Sequence, residues 1–465
     1  MELVMADVLA RYMRQHQADV LFATGTDEHG GKIAEKAKEM KLTPQQFVDQ
    51  NSQKFQALHN TLNLSNDRFI RTTNPGHEQR SQLIWKRLAR HIYKGTYSGW
   101  YCTGDEAYFP EQLVKANNGV CPTHNRAYEK LQEENYFFKL SAFSDKVKQA
   151  VENDSPRIIP ESRQHEILNI LNSGLEDISI SRPKNKIEWG IAVPGDESQV
   201  MYVWFEALMN YITVLGYPEH TDFKKYWPAD VQVIGKDILR FHAAIWPAML
   251  MALELPLPNV LYVHGFVNSA GQKMSKSLGN VVAPKDITSK YNADTFRYFF
   301  LRHIPSHGDG DFSWERLEAA YNNELADQLG NTVQRTAAMI SKYLDGIIGD
   351  IPDPGHDIAQ FEQAMQDCRF DKALDEIWEQ IKGLNQYIDE TKPWALAKDR
   401  IQDPNHLREV LAYIVACVLE IATLLTPFLP ETAAKIQATF GSGVLKTLTA
   451  PLFPKTTEAT EPSRA

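Results

Sequence analysis

Val260-Leu261-Tyr262-Val263-His264-Gly265-Phe266 is a short apolar run leading into Gly271-Gln272-Lys273-Met274-Ser275-Lys276-Ser277-Leu278-Gly279-Asn280, after which a helix-like stretch begins. A strand, a polar glycine-bearing loop and a helix in that order form the repeating unit of an α/β fold. The pattern recurs at Val20-Leu21-Phe22-Ala23-Thr24-Gly25-Thr26-Asp27-Glu28-His29-Gly30-Gly31 before a helix over 32–40, and at Val231-Gln232-Val233-Ile234-Gly235-Lys236-Asp237 before a helix reaching Pro247. In open parallel sheets, ligands bind at the carboxyl ends of strands, where all three loops lie. In the first loop, Lys273 and Lys276 stand among small serines and glycines. Lysine supplies a mobile point charge for phosphate oxygens, and hydroxyl and backbone N–H groups add neutral donors. The loop therefore reads as one that closes over a polyphosphate; a solvated basic turn is the bland alternative.

Composition narrows the class without choosing a function. A chain of 465 residues with 43% hydrophobic and 23% charged residues is ordinary for a soluble globular protein of two to four domains. A net charge of −10 argues against indiscriminate nucleic-acid binding, so an RNA partner must be held by a local patch, by stacking and by shape. Four cysteines, Cys102, Cys121, Cys368 and Cys417, make no disulfide framework in so long a chain. With no signal-like start, the expected compartment is the cytoplasm. The most apolar stretch, roughly 410–425, contains Glu420 and ends at Thr426-Pro427, which predicts a buried core helix and no membrane span.

Lys273-Met274-Ser275-Lys276-Ser277 resembles the second signature loop of class I aminoacyl-tRNA synthetases, and its flanks Val263-His264-Gly265-Phe266 and Leu278-Gly279-Asn280 look like the methionyl branch of that family. Further blocks follow in the family's order over nearly the whole chain: Thr26-Asp27-Glu28-His29-Gly30, Glu133-Glu134-Asn135-Tyr136-Phe137-Phe138, the 200–211 run, and Lys392-Pro393-Trp394. The resemblance implies a Rossmann-like parallel-sheet catalytic core with an inserted small-strand connective module, followed by an all-α helical-bundle anticodon-binding domain. The expected boundaries are core 1–95, insertion 96–178, core 179–285, linker 286–320, helical domain 321–455 and tail 456–465. The implied reaction joins methionine to AMP from ATP, with Mg²⁺, and transfers it to tRNA(Met). The expected state is a monomer away from membranes.

The same resemblance assigns residues. Lys276 is matched to the pyrophosphate and Lys273 to loop closure, while His29, Gly235 and Asp237 are matched to the nucleotide. Asp27 would face the substrate amino group, against the alternative that it caps the next helix. Trp204, Ala207, Leu208 and Tyr211 recur at i, i+3, i+4 and i+7; such a stripe is usually core, but here it matches the wall of a methionine pocket. His242 and Trp246 share a helix face. The match makes His242 a donor to the substrate sulfur and Trp246 a wall, with a structural histidine as the alternative. Asn331 and Arg335, one turn apart, and Trp394 match positions that read anticodon bases, or else belong to an exposed face and an inward-packed indole.

In the inserted module, Cys102-x2-Asp105 and Cys121-x2-His124 have two-knuckle spacing for zinc. Only three of these are usual zinc ligands, and the family includes members without the metal, so occupancy stays open. The family also places a strand and a His-Ile-Gly-His motif upstream of the helix beginning at Glu2, and the sequence contains neither. The expectation is an N-terminally truncated ligase with an incomplete active site. Its alternative is a catalytically inactive tRNA-binding remnant, and a ligase for leucine or cysteine is a third reading that fits the pocket residues less well.

Overall fold

The computed structural model of the chain describes residues 1–104, 107–109, 111–269, 271–273, 281–399, 404–448 and 450–455. The chain divides into two compact units, each assembled from separated stretches. One comprises Ala23–Ala57 and Asn66–Val263; the other comprises Met1–Phe22, Leu58–Ser65 and His264–Ala465.

In the first unit, the strand Ala23–Thr26 pairs in parallel with Arg68–Arg71, Ala23 facing Arg68. A Cβ on Gly25 would lie 2.1 Å from the Ile70 carbonyl oxygen, so only glycine lets these strands approach. Gly30, at φ 107°, turns the chain into the helix Gly31–Glu39. A second sheet has the order Val231–Gly235, Val260–His264, Arg157–Ile159, and Val260–Tyr262 runs parallel to Arg157–Ile159. Leu261, Tyr262 and Val263 are buried, as the continuous apolar run of a doubly covered parallel strand requires. The helix Pro75–Arg87 starts on Asn74, whose side chain accepts the Gly76 N–H at 2.8 Å, with Pro75 in the first turn.

The inserted module is built on a four-stranded antiparallel sheet in the order Ala107–Phe109, Ile92–Cys102, Glu129–Phe138, Ile178–Ser179. Its long central pair runs in register from Ile92 opposite Phe138 to Tyr101 opposite Glu129. Cys102, Val114, Cys121 and Tyr128 make a small core at its tip, with Trp100 and Phe109 packed against it.

The second unit carries the base of the signature loop and the helices. Val267–Ser269 pairs antiparallel with Gln272–Lys273 and parallel with Gly310–Phe312. From Trp314 onward it is mainly helical. Phe370–Thr391 buries Phe370, Ala373, Leu374, Ile377, Trp378, Ile381, Leu384 and Ile388, a stripe at helical spacing, and stops where Lys392 turns left-handed before Pro393. The apolar helix Pro404–Leu425 packs as core, and among the described residues no helix is long and apolar enough to cross a membrane.

One buried ion pair gathers four stretches of this unit. Arg297, in the helix Ala293–Arg302, lies 2.7 Å from Asp7 in the helix Glu2–Gln15, and both side chains are wholly buried. Arg297 also donates to the carbonyls of Phe428 at 2.6 Å, Pro427 at 2.8 Å and Leu62 at 3.3 Å. Asp7 additionally accepts from the Ser65 N–H at 2.6 Å, the Ser65 hydroxyl at 2.7 Å and Arg11 at 2.8 Å. Burial alone would raise the Asp7 carboxyl. Arg297, Arg11 and the Ser65 bonds outweigh it and hold the group below its ordinary value.

Candidate active site

The loop that follows Ala23–Thr26 spreads three acidic and basic side chains into different settings. Asp27 is exposed, Glu28 is buried and His29 is buried. Glu28 is fully committed: its carboxylate accepts from Arg71 Nε at 2.8 and 3.1 Å, from Thr26 at 2.7 Å and from Thr73, while its backbone N–H donates to Thr72 at 2.9 Å. Arg71 reaches on to Asp49 at 2.6 Å, and that bond holds the Asp49 carboxyl below its usual range. Trp189 closes the loop from the side, its indole N–H donating to the Glu28 carbonyl at 2.6 Å and its ring lying 5.4 Å from His29. Glu28 is thus a brace, and the exposed Asp27 is the acid presented at the strand end.

His29 Nδ1 lies 3.1 Å from Glu206 Oε1, and His77 Nε2 lies 2.9 Å from Glu206 Oε2. Glu206 is wholly buried, so desolvation pushes its carboxyl up; the hydrogen bonds from His29 and His77 overcome that and keep it low. A carboxylate only accepts, so both ring nitrogens facing it carry hydrogens. The chain continues from His77 Nδ1 to the Thr213 hydroxyl at 2.7 Å. No sequence motif pointed to Glu206 or His77.

The expected pocket stripe forms two short helices, Val203–Ala207 and Asn210–Thr213, in place of one continuous helix. Ala207 and Leu208 are buried, and Trp204 stacks on Phe241 with centroids 4.1 Å apart and planes at 16°. Phe241 opens a π-helical turn, Phe241–Ile245, that brings His242 and Trp246 to Tyr211. The Tyr211 hydroxyl is 2.8 Å from His242 Nε2, and the Tyr211 and Trp246 rings are 5.9 Å apart. His242 Nδ1 is 3.0 Å from the Ile238 carbonyl, which can only accept. Nδ1 therefore carries the hydrogen, and in the neutral ring Nε2 accepts from Tyr211. In that tautomer the imidazole orients the Tyr211 hydroxyl. The Trp246 indole nitrogen is buried with no hydrogen-bond partner among the described residues. Gly235 ends its strand and the exposed Asp237 lies in the turn just beyond it.

In the helical unit, Asn331 begins the helix Asn331–Leu344 and is exposed. Arg335 sits with its guanidinium 6.0 Å from the Trp394 ring centroid and 3.0 Å from Asp389. Trp394 is 39% exposed, so it does not pack inward. Lys273 ends the Gln272–Lys273 strand, while Lys276 lies outside the described residues.

In the inserted module, ligand atoms of Cys102, Cys121 and His124 lie within 4.8 Å of one another, and Cys121 Sγ is 3.8 Å from His124 Nδ1. A Cβ at Gly104 would come 2.4 Å from the His124 ring, so the first knuckle closes tightly on the second. The donor set suits zinc; Asp105, the expected fourth member, lies outside the described residues.

Comparison with known proteins gives a consistent answer. The family described as tRNA synthetases class I (M) matches residues 1–131 and 117–337, and the anticodon-binding domain of tRNA ligase matches 356–464. The methionine–tRNA ligase of Caldanaerobacter subterraneus subsp. tengcongensis is 45% identical over 94% of this chain and 70% of its own length. That of Brucella melitensis biotype 1 is 42% identical over 94% and 87%. Among solved structures, Mycobacterium tuberculosis methionyl-tRNA synthetase bound by methionyl-adenylate superimposes with a TM-score of 0.91 at 35% identity, covering 97% of this chain and 96% of that one. With that likeness in sequence and fold across both units, the chain belongs to the methionine–tRNA ligases, a family of class I tRNA synthetases.

Proposed function

We propose that the chain activates methionine with MgATP and transfers it to tRNA(Met), using the residues described above. The methionine carboxylate attacks the α-phosphorus and pyrophosphate leaves; a hydroxyl of the terminal tRNA ribose then attacks the acyl carbonyl and AMP departs. Both steps are chiefly matters of positioning and of stabilising phosphate charge. The observation that carries the methionine reading is the set Tyr211, His242 and Trp246. It is an aromatic-walled, soft site of the kind a thioether favours, with one hydroxyl oriented by an imidazole. Tyr211 meets the sulfur, Trp204, Ala207, Leu208 and Trp246 supply the wall, and Asp27 takes the ammonium group. His29, Gly235 and Asp237 serve the nucleotide, Lys276 the pyrophosphate and Lys273 the closure of its loop. The methionyl-adenylate bound to the similar mycobacterial protein supports methionine and ATP as substrates here.

The exposed Trp394, with Arg335 beside it and Asn331 one turn away, supports base reading by stacking and edge hydrogen bonds. Cys102, Cys121 and His124 would hold a zinc ion that cross-links the two knuckles, a structural role with no step in the chemistry. The test is methionine-dependent ATP–pyrophosphate exchange followed by aminoacylation of tRNA(Met). Exchange that runs equally with leucine or cysteine, or tRNA binding without any exchange, refutes the reading.

A further inference from the structure

Glu206 belongs to no substrate-lining set above, yet both of its carboxylate oxygens are held. It sits in the helix Val203–Ala207 between Trp204 and Ala207, wholly buried, with each carboxylate oxygen held by a different imidazole. His77 fixes Oε2 and is itself fixed by Thr213 and by Ser81, whose hydroxyl is 3.2 Å from His77 Nε2. Glu206 therefore cannot swing away from His29. On the other side, His29 is limited by Trp189 and by the turn that follows it, where the Gly30 N–H donates to the Trp189 carbonyl at 3.2 Å.

We infer that Glu206 is a positioning residue for His29, holding Nδ1–H inward so that only Nε2 is turned toward the ligand side. The inference rests on the nucleotide-side reading of His29. It follows from chemistry: an imidazole has two nitrogens, and a carboxylate that claims one decides which tautomer the other presents. Nε2, the nitrogen Glu206 leaves free to bond elsewhere, lies 3.9 Å from Oε1 of the exposed Glu78, while the His29 side chain is itself 3% exposed. The same helix carries Trp204 and Ala207. The proposed methionine wall and the proposed nucleotide-side imidazole are thus fastened to one five-residue element.

The test is a double-mutant cycle on the full 465-residue chain, measuring kcat and KM for ATP and for methionine in pyrophosphate exchange, with the thermal midpoint recorded alongside. Glu206→Gln keeps the size of the side chain but cannot accept from both rings at once. Glu206→Gln and His29→Gln are each expected to lower kcat/KM for ATP about tenfold or more, and the double variant to fall within about twofold of His29→Gln alone. A double variant whose loss is the product of the two single losses overturns the inference, since Glu206 would then act independently of His29. Unaltered kinetics in His29→Gln also overturn it, and in that event the nucleotide-side reading of His29 is what has failed. If Glu206→Gln does not fold, Glu206→Asp keeps the charge and withdraws it by one methylene. Its loss is again expected to vanish in the His29→Gln background, and persistence there refutes the proposal.

Discussion

Replacing Arg297 with methionine would remove a charge from the centre of the second unit while keeping most of the apolar stem. The wild-type guanidinium makes four bonds, one to Asp7 and three to the carbonyls of Leu62, Pro427 and Phe428, and it is wholly buried. Removing one partner of a buried ion pair costs about 3–5 kcal/mol, because the remaining charge stays desolvated. Three carbonyls also lose their donor, at roughly 1–3 kcal/mol for each that finds no water. Asp7 keeps the two Ser65 bonds and Arg11, which offsets part of the loss, so the expected total is about 3–5 kcal/mol. Hydrogen exchange read by mass spectrometry resolves where the loss falls. Protection in peptides covering 58–65 and 427–429 should drop by about 10²- to 10³-fold or more, taking 1.4 kcal/mol per tenfold. Peptides from 231–235 and 260–262 should change little. A loss below tenfold at 58–65 refutes the reasoning. The doubly apolar Asp7→Leu/Arg297→Met variant should be more stable than Arg297→Met alone, since the wholly buried carboxylate is gone and the Arg11 guanidinium it releases reaches solvent.

Acid should weaken the same cluster. The native Asp7 carboxyl is held below its ordinary 3.8, so its contribution is complete above that value and is lost as the pH falls through the depressed one; Asp7→Asn should flatten this part of an acid-unfolding curve. Tyr211→Phe removes the hydroxyl that His242 orients and should raise the KM for methionine about tenfold, whereas an unchanged value would exclude sulfur recognition there. Trp394→Ala should weaken tRNA(Met) binding by about 1–3 kcal/mol in a filter-binding or fluorescence titration, and a change below twofold would remove the stacking role. Burial pushes the Cys417 thiol up to about 11, so a thiol reagent at pH 8 should label it slowly in the folded protein and rapidly after denaturation.

Several parts of this arrangement were legible in the order of residues. Val260 to Val263 reads as a buried strand because its apolar run is unbroken, and the cysteine spacing reads as two knuckles because ligands must meet in space. The Glu206 bridge could not be read that way: it joins His29 to a position 177 residues on, and nothing local marks Glu206 apart from any other helical glutamate. The hydrogen-bonded setting of His242 was hidden for a related reason. Which nitrogen is available depends on the Ile238 carbonyl and the Tyr211 hydroxyl, and backbone acceptors carry no sequence signature. Asp7 and Arg297 look like ordinary surface charges on amphipathic helices until the carbonyls of Pro427 and Phe428 are seen beneath them.

That last cluster sets a timetable for synthesis. Asp7 is synthesised long before two of the carbonyls that secure its partner, those of Pro427 and Phe428. At about 5–20 residues per second, the helix Glu2–Gln15 waits roughly 20–80 s for the last of them. The unit ending at Val263 is fully translated well before then. During that interval the face of the first helix that will be buried, with Val4, Met5 and Val8, has no finished core to enter. Until then it is a stretch of the nascent chain that a chaperone's cover would protect.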